Sequence, residues 1–129
     1  MADASYPDDL LYHPEHDWAR IDDDGKATFG ITWFAQDALG EVVFFDPPKV
    51  GATIAAGEAY AEVESVKAVS DVVAPMSGEV VAVNAGLADS PEAINDDPYG
   101  EGWLVQVQLS DPSERDSLLD VATYTAQLD

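Results

Sequence analysis

Cysteine is absent from the 129-residue chain, which excludes disulfides, thiolate metal sites and a cysteine nucleophile and leaves any redox chemistry to a borrowed group. Basic residues are nearly as scarce. Arg20, Lys26, Lys49, Lys67 and Arg115 stand against 26 acidic residues, for a formal net charge of -21. Five scattered cations make no patch for phosphate, so nucleic acid and anionic membrane surfaces are excluded as partners. A small soluble domain usually carries about 2 to 8 charges; the excess here repels itself in dilute buffer and is screened at high salt. This predicts a protein that works in a salt-rich cytoplasm, against the plainer alternative of an acidic protein kept soluble and choosing basic partners. A melting temperature that rises from dilute to molar potassium chloride is the expected sign, and a flat one rejects the idea. The start, MADASYPDDLLYHPEHD, has no signal-like apolar run, and no stretch is long enough to span a membrane, so a cytoplasmic protein is expected. At this length the expectation is one domain over residues 1–129, and a monomer.

Turn residues punctuate the chain at short intervals: Asp22 to Gly25, Pro47 and Pro48, Gly51, Gly57, Ser77 and Gly78, then Asp96 to Gly102. Between them lie short β-branched and aromatic runs. In Trp103 to Leu109, Trp103, Val105, Val107 and Leu109 alternate with Gln106 and Gln108, the period of a strand with one buried face. Ala27, Phe29 and Ile31 alternate likewise, and Glu41 to Phe45, Ala59 to Glu64, Val69 to Ala74 and Glu79 to Asn84 complete a mainly β set. Helices are few. Thr32 can cap a short helix at 33–39 that Gly40 ends, with Phe34, Ala38 and Trp33 inward. Ser110 or Asp111 followed by Pro112 opens a second near 112–120, with Leu118 and Leu119 on its inner face, and Val121 to Asp129 either extends or frays it. Trp18, Trp33, Phe29, Phe44 and Phe45 are expected core aromatics.

The informative stretch is GEAYAEVESVKAVSDVVAPMSGEV, residues 57–80, in which two strand-like runs flank one lysine. If they pair, Lys67 stands at a hairpin tip. The tip lacks the Asn-Gly or Asp-Gly chemistry of favoured two-residue turns, and taken alone these residues are better read as an ordinary surface lysine between the acidic neighbours Glu64 and Asp71. No nucleophile elbow or phosphate-cradling glycine loop is present. His13 and His16 read as loop or packing histidines rather than a metal site, and Asp22-Asp23-Asp24-Gly25 as a solvated turn rather than a calcium loop.

The lysine segment GEAYAEVESVKAVSDVVAPMSGEVVAVN resembles the lipoyl-lysine segment of the glycine cleavage system H protein family. The likeness continues through HPEHDWARI, FGITWFAQDALGEVVFFDPPKVG and INDDPYGEGWL, several blocks in the right order. The resemblance implies a barrel-sandwich hybrid of the lipoyl-carrier kind and lipoic acid joined as an amide to Lys67. It implies that Glu64 and Gly78 belong to the surface that the lipoylating enzyme recognises. Valine and alanine beside the lysine, where a biotin carrier usually has methionine, count against biotin. It further implies a cleft for the loaded arm lined by Asp17 and Asp71. Here the sequence departs from the family: Asp17 replaces a more usual glutamate, and Trp33-Phe34 replace an aspartate followed by tyrosine or histidine, so that Phe34 offers the arm no donor.

On the same likeness, a pyridoxal-phosphate glycine decarboxylase loads an aminomethyl group, an aminomethyltransferase unloads it, and dihydrolipoyl dehydrogenase reoxidises the arm. The arm adds a reach of about 10 Å by bond-length counting. The chain itself is expected to be a non-catalytic carrier. The alternatives are an H-like relay that hands lipoate to other enzymes, a non-modified β interaction module, or a carboxylate-based hydrolase.

Overall fold

The computed structural model describes residues 6–22 and 24–128. The extreme N-terminal residues, the second residue of the Asp22 to Gly25 turn and Asp129 lie outside that range; within the turn, Asp22 Oδ1 accepts the N–H groups of Asp24 and Lys26. The chain runs β1 (Leu11–His13), β2 (Asp17–Ile21), β3 (Lys26–Ile31), α1 (Trp33–Leu39), β4 (Val42–Asp46), β5 (Thr53–Ile54), β6 (Ala59–Ser65), β7 (Val69–Val73), β8 (Gly78–Val83), α2 (Ala93–Asp96), β9 (Val105–Leu109) and α3 (Val121–Ala126), with 3₁₀ turns at Ala85–Ala88 and Pro112–Ser117. All pairings are antiparallel, in a six-stranded sheet ordered β1-β2-β3-β9-β8-β5 and a three-stranded sheet ordered β4-β6-β7. The chain is thus mainly β, in two antiparallel sheets with short helices. No helix among the described residues is long and apolar enough to cross a membrane.

The period-two runs become strands for the expected reason. In β9, Val105, Val107 and Leu109 are buried while Gln106 and Gln108 face solvent. Their inward faces join Phe29, Phe45, Val63, Met76 and Leu104 in the main core, where each fully buried large aliphatic side chain contributes roughly 1.5–3 kcal/mol. A second cluster of Leu10, Tyr12, Trp18 and Tyr124 ties α3 to β1 and β2, with Tyr12 and Tyr124 stacked at 4.7 Å.

Several expectations are corrected. Helix α1 spans the expected residues, with Thr32 Oγ1 accepting from Ala35 N and Gly40 at φ 82 ending it. Its buried residue, however, is Gln36, whose amide finds partners in Trp33 and Asn95; Phe34 and Ala38 face a surface cleft rather than the core, and Trp33 is half-buried. Residues 112–120 form a 3₁₀ turn capped by Asp111 and then an extended Leu118. Asp120 caps a separate helix, α3, by accepting from Thr123 N. Leu119 is therefore not on a helix face; its N–H and C=O exchange bonds with Tyr12. Phe44 is exposed rather than core because a β-bulge between Val42 and Phe44 breaks the alternation of β4.

Candidate functional site

Strands β6 and β7 form a hairpin whose last ladder pair is Glu64 with Val69. Ser65 N then donates to Ala68 O at 2.8 Å, leaving Val66 and Lys67 as the tip. Neither takes a positive φ, so this is not one of the primed turns that hairpins favour. The Ser65 hydroxyl takes over that role: Oγ accepts the N–H groups of Lys67 at 3.3 Å and Ala68 at 3.1 Å. A serine at the first turn position was the available signal, of the kind that closes turns through a side chain.

The tip is tied down on one side. Val66 N donates to Glu41 O at 3.0 Å. The Lys67 side chain is exposed, with its stem over Gly40, where an added Cβ would come within 3.2 Å of Lys67 Cε. Asn95 pins this platform, because its Oδ1 accepts from Val42 N while its Nδ2 donates to Gly40 O and to Gln36 Oε1.

On the other side of the tip lies a cleft of about 330 Å³ between α1, β7 and the β1–β2 turn. Phe34, Ala38 and Leu39 supply its apolar wall, and β7 the opposite wall including Asp71. Asp17, the first residue of β2, also lines it, yet is only 2% exposed, and its Oδ2 has no hydrogen-bond partner among the described residues. The Tyr60 hydroxyl is the other buried side-chain atom without a partner among them. Burial pushes the Asp17 carboxyl well above the ordinary carboxylate range, and Glu15 adds to the effect. Burial also raises the Tyr60 phenol, with the Asp17 charge as a second cause.

Because the folded chain holds the Asp17 proton more tightly than the unfolded chain does, this contribution to stability is complete below the unfolded carboxyl pKa. It is lost as pH rises through the higher folded value. Asp17→Asn should therefore match the parent in acid and become the more stable of the two towards neutral pH. Denaturant unfolding across that range checks it; a difference that does not change with pH would mean Asp17 is already charged when folded.

His16 completes the cleft mouth. It is the only non-glycine described residue with positive φ, at 75, and its ring lies 4.4 Å from Phe34, centroid to centroid. Its Nδ1 shares a 2.8 Å hydrogen bond with the Tyr124 hydroxyl, which shares another of 2.8 Å with Thr32 Oγ1. One tyrosine from α3 thus holds both the turn before Asp17 and the cap of α1. Burial holds the His16 imidazole below its ordinary range, with Glu15 opposing, and raises the Tyr124 phenol to about 12 against the lowering bond from Thr32. Sequence reasoning missed all of Ser65, Asn95, Tyr60 and Tyr124: Ser65 left a local turn signal that was not weighed, whereas the other three act through long-range bonds or burial that no local pattern announces.

The structure brings Lys67, Asp17, Asp71 and Phe34 around one hairpin and its neighbouring cleft. Glu64 sits two residues from the tip turn, half-buried on the outer face of β6. Gly78, expected with Glu64 on the surface that the lipoylating enzyme recognises, lies elsewhere in the fold. It is buried at the start of β8 in the six-stranded sheet, paired with Leu109 and Ile54, where any side chain would strike the Gln108 carbonyl.

A family model described as glycine cleavage H-protein matches residues 10–129. The chain is 55% identical to the glycine cleavage system H protein of Halorhodospira halophila over 121 residues, 94% of this chain and 93% of that one. It is 53% identical to the protein of the same name from Citrobacter koseri over 126 residues, 98% of each. A crystal structure of a glycine cleavage system H protein from Mycobacterium marinum is similar with a TM-score of 0.86 and 42% identity, covering 95% of this chain and 98% of that one.

Proposed function

Since the chain belongs to the glycine cleavage H-protein family, we propose that it is lipoylated on Lys67 and carries the aminomethyl group of glycine from the decarboxylase to the aminomethyltransferase. The observation that carries this reading is an exposed lysine, held on a self-closed hairpin tip beside a cleft lined by buried Asp17, whose Oδ2 has no hydrogen-bond partner among the described residues. In the attachment step the neutral Lys67 Nζ attacks an activated lipoyl carbonyl. The amide C–N bond forms, the activating group leaves with its bonding pair, and the nitrogen gives up a proton to solvent. When bound, the lipoyl group supplies the disulfide and dithiol chemistry that a cysteine-free chain lacks.

The residues around the tip have separable tasks. Ser65 and Glu41 fix the backbone on either side of Lys67, so the tether swings from a rigid base. Asp17 and Asp71 accept hydrogen bonds from a cationic amine entering the cleft, and the arriving positive charge favours the ionised form of Asp17 that burial otherwise disfavours. Phe34, Ala38 and Leu39 exclude water and so slow hydrolytic loss of the amine; Phe34 does so without a polar contact. Glu64 faces the lipoylating enzyme, while Gly78 serves the fold beneath. Dihydrolipoyl dehydrogenase is the remaining partner. Intact mass of protein from lipoate-replete native cells tests the proposal: a lipoyl increment localised to Lys67 supports it, and a wholly unmodified chain counts against it.

A further inference from the structure

Large apolar side chains usually avoid gathering on a solvent face, and a contiguous exposed patch marks a contact surface. Four stand on the strands and turn around the lysine tip, with half-buried Glu64 between Phe44 and Val69. Val43 and Phe44 of β4 are 47% and 48% exposed, and Val66 and Val69 of the hairpin are 68% and 59% exposed. The bulge in β4 is the cause for the first two, since it turns consecutive residues outward where strict alternation would bury one of them. Register places them beside the tip. Phe44 pairs with Glu64, which pairs with Val69, so the three share the outer face of the β4-β6-β7 sheet in one cross-strand row. The Val66 bond to Glu41 and the Lys67 stem over Gly40 draw the lysine towards the β4 side.

Carboxylates border this patch on two sides. Asp46, Glu62 and Asp71 pair in register across all three strands, forming a second row on the same face. Like charges placed directly opposite each other destabilise a sheet, so this row works against the fold by itself. Beyond the lysine stem, Asp37, Glu41, Glu92 and Asp96 line a shallow groove that also includes Gly40.

We infer that this outer face, centred on Val43 and Phe44, is the docking surface of the enzyme that acylates Lys67, and that the enzyme meets it with an apolar contact edged by lysine and arginine. The inference rests on the reading of Lys67 as the lipoylated residue. Distance selects the occupant. An enzyme that acylates Nζ must bring its reacting carbonyl to bonding distance of the tip and therefore covers what surrounds it, whereas enzymes that act on the far end of an arm work about 10 Å away. Charge supplies the rest, since carboxylates on both flanks of an apolar strip fit a basic-rimmed partner and steer it in.

The test uses the full, unmodified chain and the lipoate-attaching enzyme of the same organism with its acyl donor. Val43→Ser combined with Phe44→Ser changes only exposed side chains and should raise the KM for the chain about tenfold with kcat little changed, the mark of lost docking. The dissociation constant of the two proteins should rise alike. Glu62→Lys should weaken docking while raising the melting temperature, because it converts a like-charge row into attractive pairs; weaker docking in a more stable protein is not a folding defect. If the parent chain is acylated on Lys67 and both variants keep its KM and dissociation constant, the docking surface is refuted and the lipoylation reading stands. The docking surface fails equally if the variants alter only self-association or glycine decarboxylation. If the parent chain is never acylated on Lys67, both fall.

Discussion

Arginine in place of Lys67 should leave the protein folded and reduce both lipoyl incorporation and glycine-dependent turnover to the assay background. Arginine keeps the positive charge and a long stem to lie over Gly40, but its guanidinium is not an amine nucleophile near neutral pH. Since Lys67 is exposed and the turn is closed by Ser65 and the backbone, the unfolding free energy should stay within about 0.5 kcal/mol of the parent. A side chain whose loss removes all function without moving stability is acting through its chemistry. Turnover that survives the substitution, measured with the decarboxylase and aminomethyltransferase in excess, would sink the assignment.

The second large effect belongs to Gly78, and its sign separates packing from recognition. Gly78 sits between Ile54 and Leu109 in the ladder, and a Cβ there would strike the Gln108 carbonyl and come within 2.5 Å of Val107 Cγ1. Neither obstacle is the free end of a flexible side chain. Relief requires parting β8 from β9, so Gly78→Ala should cost about 3 kcal/mol, at or above the top of the overpacking range, and lower the melting temperature by roughly 10 °C. Whatever fraction remains folded should still be acylated on Lys67. A Gly78→Ala protein of parental stability that resists acylation would instead make Gly78 a recognition element.

The strands that alternate cleanly were legible in the sequence, as was α1 between its Thr32 cap and Gly40, because period and cap chemistry are local. Strands β1, β2 and β5 were not: β5 has two residues, and β2 begins with a buried carboxylate and carries Arg20, which no apolar pattern flags. Phe44 misled because a bulge is a one-residue slip in pairing, set by the partner strand rather than by the run itself. Asp120 repeats the Thr32 signal, and weighing it would have separated α3 from the turn before it. Lys67 and Asp17 were found only through family likeness. A lysine among acids and an acid among acids carry no pattern of their own, and Asp17 owes its character to burial that the whole fold imposes.

Strand β7 is an edge, with no paired strand on its cleft side among the described residues. Such a border ordinarily invites a second copy to add itself and extend the sheet. In this molecule a visiting twin would bring its own Asp71, and behind it Glu62 and Asp46, up against the same three carboxylates. Like charges set face to face oppose such an addition, so this border resists extension by a second copy, and the tether proposed on Lys67 would keep open ground beside it.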